Sequence, residues 1–317
     1  MSSTPTARVL ADPFAADEVI AGLRAPRKHL PCKLLYDARG AALFEQICTL
    51  PEYYPYRAEL ALLDAHLPAI AAHVGPAARV VEPGSGAGQK TRMLLAALAR
   101  PAAYVPIDVS AEQLADTARA LAAAFPALEL APLVADYTAP FALPPTRAAG
   151  RTAVFFPGST IGNFEPDDAG RFLARFAQLA GPDARLILGA DANRDRDQLL
   201  AAYDDAAGVT AAFDLNVLAH LNRSHAATFE LDGFLHRAVW DAARARVEMH
   251  LVSRRRQVVE VAGEQILFER GEPIVTEHCY KHPPEVLAAL LARAGWQVRE
   301  AFADSDGRMR LWIAARA

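Results

Sequence analysis

Between residues 78 and 192 short apolar runs alternate with stretches of helical period. The runs lie near 78–83, 103–108, 128–135, 152–157 and 184–190, and amphipathic stretches near 89–100, 111–124 and 167–180 separate them. Apolar runs spaced by helices predict parallel strands with crossover helices, a doubly wound α/β sheet. Upstream, 13–25 (PFAADEVIAGLRA) reads as an amphipathic helix, Pro26 and Pro31 interrupt it, and 33–45 carries a second helical pattern. The PEYYP segment at 51–55 predicts a rigid aromatic loop. Each proline there fixes its own φ and biases the residue before it towards extended backbone. Residues 57–74 predict a helix that delivers the chain to the first strand.

Past residue 191 the alternation stops. A helical stretch at 196–223 precedes period-two alternation from 228 to 279, then a helix at 284–294. The last runs, 296–303 and 309–315, read as a terminal β-hairpin returning to the sheet. Residues 195–281 are therefore an insertion. With 1–75 they predict a second, smaller α+β lobe over the ligand edge of a Rossmann-like domain made of 76–194 and 282–317.

Composition narrows the class. A chain of 317 residues with 52% hydrophobic and 22% charged residues has the make-up of a globular enzyme. The net charge is −4, and the basic run Arg254-Arg255-Arg256 sits in an alternating stretch, as on a solvated strand face. Neither nucleic acid nor membrane is an expected partner. The beginning of the sequence lacks a basic-then-apolar leader, and no apolar run reaches membrane-span length. Cys32, Cys48 and Cys279 form neither a disulfide framework nor a zinc spacing, and the nine histidines include no metal-binding pair on a helix. A cytoplasmic protein without a metal is expected.

The chemistry starts at 80–92, VVEPGSGAGQKTR, where a strand ends in Glu82 and Gly84, Gly86 and Gly88 lead into a helix. Glycines at a strand-to-helix turn let the backbone bend tightly and approach a ligand. One βα unit on, Asp108 ends an apolar run, where a carboxylate can accept both ribose hydroxyls of a nucleoside. The next run ends in Asp136-Tyr137, which suits an adenine amino group and its ring. Loop, acid and acid at three successive strand ends suit the single adenosine of S-adenosylmethionine better than a dinucleotide.

The fourth strand end reads FFPGSTIGNF (155–164), where an acceptor should meet the methyl group. It lacks the Asn/Asp-Pro-Pro-aromatic signature common in methylation of planar nitrogens. Asn163 offers an amide suited to an amino-acid headgroup. Tyr203 opens the insertion and offers a hydroxyl to a carboxylate. Alternation puts Glu277 and Cys279 on one strand face, where a carboxylate can hold a ring N–H or a cation.

Taken together, KLLYDARGAALFEQI, LPEYYPYR, VEPGSGAGQKTRMLL, PIDVS, VADY, FFPGSTIGNF, AYDDAAGVTAAFDLNVL, VEMHL and TEHCYK, in order over residues 30–281, closely resemble the histidine N-alpha-methyltransferases of ergothioneine biosynthesis. The resemblance implies a class I methyltransferase sheet and trimethylation of L-histidine to hercynine. It implies that Tyr36, Gly84, Lys90, Asp108, Asp136 and Tyr137 contact S-adenosylmethionine. It gives Tyr53, Gly158, Asn163, Tyr203, Met249, Glu277 and Cys279 to the amino acid. Asn163 and Tyr203 would hold the amino and carboxylate end, and Glu277, Cys279 and Met249 would surround the imidazole. Tyr36, Asn163 and Tyr203 are the candidate catalytic groups. Cys279 departs from the serine of the family pattern, and a thiol donates a hydrogen bond more weakly than a hydroxyl.

Methyl transfer from a sulfonium is an in-line displacement that needs alignment and exclusion of water, with no covalent intermediate. No dedicated base stands out, so proton loss to water, through a tyrosine hydroxyl, is the simplest route. A monomer acting on a free amino acid is expected. The competing readings are an N-methyltransferase for another aromatic amino acid, a non-catalytic methyltransferase-like binding module, and an NAD-dependent oxidoreductase. The last lacks a His/Arg or Tyr/Lys catalytic pair.

Overall fold

A computed structural model describes residues 8–9, 15–86, 88–148 and 150–317. The chain divides into two compact units. The first comprises Met1–Ala11, Pro55–Asn193 and Lys281–Ala317, and the second Asp12–Tyr54 and Arg194–Tyr280.

The first unit is built on a sheet that runs, from one edge, Arg8–Val9, Leu133–Val134, Ala103–Asp108, Arg79–Pro83, Thr152–Phe156, Arg185–Asp191, Met309–Arg316, Trp296–Ala303. Pairing is parallel up to Arg185–Asp191 and antiparallel for the two C-terminal strands. This is the Rossmann-like order, with the expected terminal hairpin closing one edge. The central parallel strands are buried along nearly their whole length because both faces are covered, whereas the edge strand Trp296–Ala303 alternates. Val81, Val105, Val154 and Leu186 pack with Phe172, Phe176 and Leu290 on one side. Their neighbours Val80, Tyr104, Phe155 and Ile187 pack with Leu62, Ile70 and Leu94 on the other.

Several elements differ from the sequence reading. The run at 128–135 is two short strands, Glu129–Leu130 and Leu133–Val134, with Pro132 between them. Proline has no N–H to give to a ladder. The aromatic loop ends earlier than expected, since the next helix spans Tyr54–Val74 and takes Pro55 into its first turn, where a missing N–H costs nothing. The sequence reading put residues up to 75 with the smaller lobe. From Pro55 onward they belong to the first unit, because Leu62, Leu63, Ile70 and Val74 bury themselves against its sheet.

The second unit packs helices on a small antiparallel sheet of Pro273–Tyr280, Arg246–Ser253 and Phe234–Asp241. A separate hairpin pairs Gln257–Val261 with Glu264–Phe268. Its core includes Leu34, Leu199, Phe213, Val217, Met249, Leu251 and Ile274. The helix expected at 13–25 is Ala16–Arg24, and residues 13 and 14 lie outside the described residues. The 33–45 pattern is a 3-10 turn, Cys32–Leu35, then a helix, Ala38–Thr49, whose first turn Asp37 caps by accepting the Gly40 N–H at 2.7 Å. The stretch at 196–223 is two helices, Arg196–Tyr203 and Val209–Ser224. Asp205 splits it by accepting the N–H groups of Val209 (3.0 Å) and Thr210 (2.7 Å), and Gly208 supplies the left-handed turn at φ +76°. Among the described residues no helix is long and apolar enough to cross a membrane.

The chain leaves the first unit after Asn193 and returns at Lys281. Lys281 Nζ meets Asp191 Oδ2 at 2.9 Å with both side chains fully buried. The Asn193 N–H donates to the other oxygen of Asp191 at 2.9 Å. The exit and the return are thus pinned to each other inside the first unit. Lys281→Met should cost about 3–5 kcal/mol, because it strands a buried carboxylate. Chemical denaturation measures this; a loss below about 1 kcal/mol would show that the pair contributes no more than a surface contact.

Candidate active site

The three strand ends singled out from the sequence are neighbours in the sheet. At the first, Gly84, Gly86 and Gly88 all take positive φ, +68°, +48° and +75°. Few other residues sustain such a run, so the spacing reflects the backbone path. The Gly84 N–H donates to Ile107 O at 2.7 Å, and Thr117 Oγ1 donates to Gly86 O at 3.0 Å. A Cβ on Gly84 would lie 3.5 Å from the Tyr137 ring, which brings the third strand end against the glycine loop.

Asp108 ends the second strand almost fully buried, accepting the Ser110 N–H at 3.0 Å. Burial pushes its carboxyl above the usual range, and N–H groups of Ser110, Gly86 and Val109 pull part of that back. A carboxylate so placed gains from further hydroxyl donors. Asp136 accepts the Thr138 N–H (2.8 Å) and hydroxyl (2.5 Å). Tyr137 sets its ring edge-on to Phe156 and Phe172. Arg175 donates to the carbonyls of Tyr137, Thr138 (2.9 Å) and Ala139 (2.7 Å), holding the loop that carries both residues.

At the fourth strand end Gly158 (φ +87°) and Ser159 (φ +57°) turn the chain into the 3-10 segment Thr160–Asn163. The Gly158 N–H points at both oxygens of Glu59, at 2.9 and 2.8 Å, and the Lys90 ammonium pairs with that same carboxylate. Lys90 also lies 4.8 Å over the Tyr56 ring. The expected cofactor lysine therefore has a carboxylate partner within the first unit. Glu59 went unnoticed in the sequence, although its signal is there. It shares the buried stripe of its helix with Pro55, Leu62 and Leu63, and a carboxylate on an apolar stripe needs a partner. Arg175 left no such mark.

In the second unit Tyr36, Tyr53 and Tyr203 come from three segments and meet in one aromatic cluster. Tyr36 sits edge-on to Phe44 (5.6 Å) and Phe213 (5.5 Å), and Tyr53 edge-on to Tyr203 (6.2 Å). Met249 and Glu277 lie directly opposite each other on adjacent strands, and Cys279 faces Val247 two pairs further along, on the same face. Met249 and Cys279 are buried, and Glu277 is half-buried. Thr276 is the extra residue of a β-bulge just before Glu277. The sequence alternation did not show that bulge. Among the described residues no group of three or more His, Cys, Asp or Glu is placed to hold a metal.

Behind the glycine loop Glu82 is buried and accepts the hydroxyls of Thr91 and Tyr104, each at 2.6 Å. Burial is the largest influence on it and, against those two hydrogen bonds, raises its carboxyl from 4.5 to about 7. A carboxyl raised on folding stabilises the fold fully below its unfolded value, and that stability is lost as pH rises through the folded value. Between about pH 4.5 and 7 stability should therefore fall by on the order of 3 kcal/mol from this group. Glu82→Gln should flatten that decline in denaturation curves taken across the window. An unchanged slope would mean that Glu82 is ionised throughout.

A family model described as "Histidine-specific methyltransferase, SAM-dependent" matches residues 15–316. The chain is 42% identical over 305 residues to the histidine N-alpha-methyltransferase of Mycolicibacterium smegmatis, with 94% of each chain covered. It is 40% identical over 307 residues to that of Mycobacterium tuberculosis, again with 94% of each covered. Ergothioneine biosynthesis protein 1 of Neurospora crassa is 30% identical over 276 residues, which are 84% of this chain and 31% of that protein. The match takes in the glycine loop, the acidic strand ends and the inserted strands alike, and the chain belongs to the S-adenosylmethionine-dependent, histidine-specific methyltransferases.

Proposed function

We propose that the protein transfers three methyl groups in turn from S-adenosylmethionine to the α-amine of L-histidine, giving hercynine for ergothioneine biosynthesis. The observation that carries this reading is the face shared by Met249, Glu277 and Cys279. A carboxylate flanked by a thioether and a thiol offers an imidazole one strong acceptor in otherwise soft surroundings.

When bound, the cofactor supplies a methyl group on a sulfonium. We assign its ribose hydroxyls to Asp108 and its adenine to Asp136 and Tyr137, with the backbone at Gly84 close to it and Tyr36 a further contact. Lys90 acts through Glu59, fixing the helix that follows the glycine loop. For the amino acid we assign the headgroup to Asn163 and Tyr203, with Gly158 and Tyr53 as neighbours, and the ring to Glu277, Cys279 and Met249. The attacking amine must be neutral, so a proton leaves the nitrogen before each transfer. Tyr36 and Tyr203 are the hydroxyls that pass it to water. The proposal takes the protein as a cytoplasmic monomer acting on a free amino acid.

Mass spectrometry of histidine incubated with the protein and cofactor should show additions of one, two and three methyl groups. Absence of any addition, with cofactor binding intact, would sink the proposal. Asp108→Ala should weaken the cofactor by more than about tenfold, the loss of charge-assisted hydrogen bonds. Calorimetry on the folded variant reads this directly. Glu277→Ala should lower kcat/KM for histidine by about a hundredfold or more while leaving tryptophan turnover unchanged, since only the imidazole loses its acceptor. A Glu277→Ala enzyme that methylates histidine normally would take Glu277 out of ring recognition.

A further inference from the structure

The second unit holds a buried polar network that the assignments above do not use. Asp214, on the helix Val209–Ser224, is fully buried. One of its oxygens lies 2.6 Å from His236 Nδ1 and the other accepts the Thr276 hydroxyl at 2.5 Å. His236 stands on the strand Phe234–Asp241 with its side chain 1% exposed. Its Nε2 lies 2.9 Å from the carbonyl oxygen of Tyr203, the last residue of the helix Arg196–Tyr203.

A carboxylate and a carbonyl can only accept. Both ring nitrogens of His236 must then donate, and the ring is an imidazolium. Its charge sits at the C-terminal end of a helix, where unsatisfied carbonyls favour a cation. Asp204 Oδ1, 4.0 Å from Nε2, adds a further negative charge. Burial works against the charged ring, and the Asp214 carboxylate, the Tyr203 carbonyl and Asp204 outweigh it, so that His236 titrates above the usual histidine range.

The other arm ends at the β-bulge. The Thr276 hydroxyl also reaches the carbonyl oxygen of Met249 at 3.1 Å. Thr276 is the residue that the bulge inserts before Glu277, and a bulge re-aims the side chains beside it. One carboxylate thus fixes both the helix end that carries Tyr203 and the strand crossing where Met249 meets Glu277.

We propose that Asp214 and a doubly protonated His236 are positioning residues for amino-acid recognition, setting Tyr203, Met249 and Glu277 in register with one another. The proposal rests on the assignment of those three residues to the substrate. Buried ion pairs gain little net stability, and their directional bonds select one arrangement among packings of similar energy. Two strands and two helices that bring separate recognition groups together have use for such selection.

Two measurements test it. In wild-type protein labelled with ¹⁵N-histidine, the His236 ring, assigned by its loss in His236→Gln, should show two protonated nitrogens at neutral pH. A neutral ring overturns the proposal whatever the substrate proves to be. His236→Gln and Thr276→Val each break one arm. Each should raise KM for histidine by about tenfold or more, with kcat and the calorimetric affinity for S-adenosylmethionine held within about threefold. Unchanged KM in either folded variant, or cofactor affinity falling in step with KM, would reduce the network to general scaffolding. If His236→Gln does not fold, the nitrogen shifts of the wild type, assigned through Asp214→Asn, and the Thr276→Val kinetics decide. Wild-type protein that fails to methylate histidine would instead defeat the functional reading and leave the protonation result standing.

Discussion

A single buried carboxylate holds the C-terminal edge of the first unit's sheet together. Glu59 reaches across from its helix to the Gly158 N–H and to Lys90, joining three segments that are distant in sequence. A fourth segment makes room for it. A Cβ at Gly189 would come within 1.6 Å of Glu59 Oε1, so the strand Arg185–Asp191 needs glycine at that point. Removing a carboxylate from water is costly, and it is tolerated here because one cation and one backbone donor satisfy it. The return is positional. The helix behind the glycine loop and the turn at Gly158 are both referred to one atom group, so neither can drift independently.

What the sequence disclosed follows from what is periodic or local. The parallel strands were legible because burial on two faces writes continuous apolar runs, and the crossover helices because burial on one face writes a helical period. Gly84, Asp108 and Asp136 were legible because a nucleoside-binding edge demands backbone turns and acids at fixed strand ends. The break at Pro132, the Asp205 cap that divides one helical stretch in two, and Pro55 inside a helix are local choices between competing uses of the same residues. The apolar period does not decide them. The polar networks were out of reach for another reason. Glu59 and Lys90 are 31 residues apart, and Asp214 and Thr276 are 62 apart. Such pairs form only once the fold has brought their elements together. Glu59 alone carried a sign of its role, as a charge on a buried stripe.

The buried acids also divide by their partners. Glu82 has two hydroxyl donors, and burial, against them and the charge of Lys90, lifts its carboxyl to about 7. Asp214 instead has the His236 ring beside it, 2.6 Å away. On the proposed assignment, recognition by the second unit must outlast the chemistry. An amine that gains three methyl groups changes in size, in hydrogen-bonding capacity and finally in charge. A site that read the amine closely would reject its own intermediates. Selectivity has to come from parts of the substrate that do not change, the carboxylate and the ring. The groups that read them must hold their spacing through all three transfers. On the proposed assignment, fixing Tyr203, Met249 and Glu277 to a common buried anchor, rather than each to its own local packing, would keep that spacing constant while the nitrogen changes.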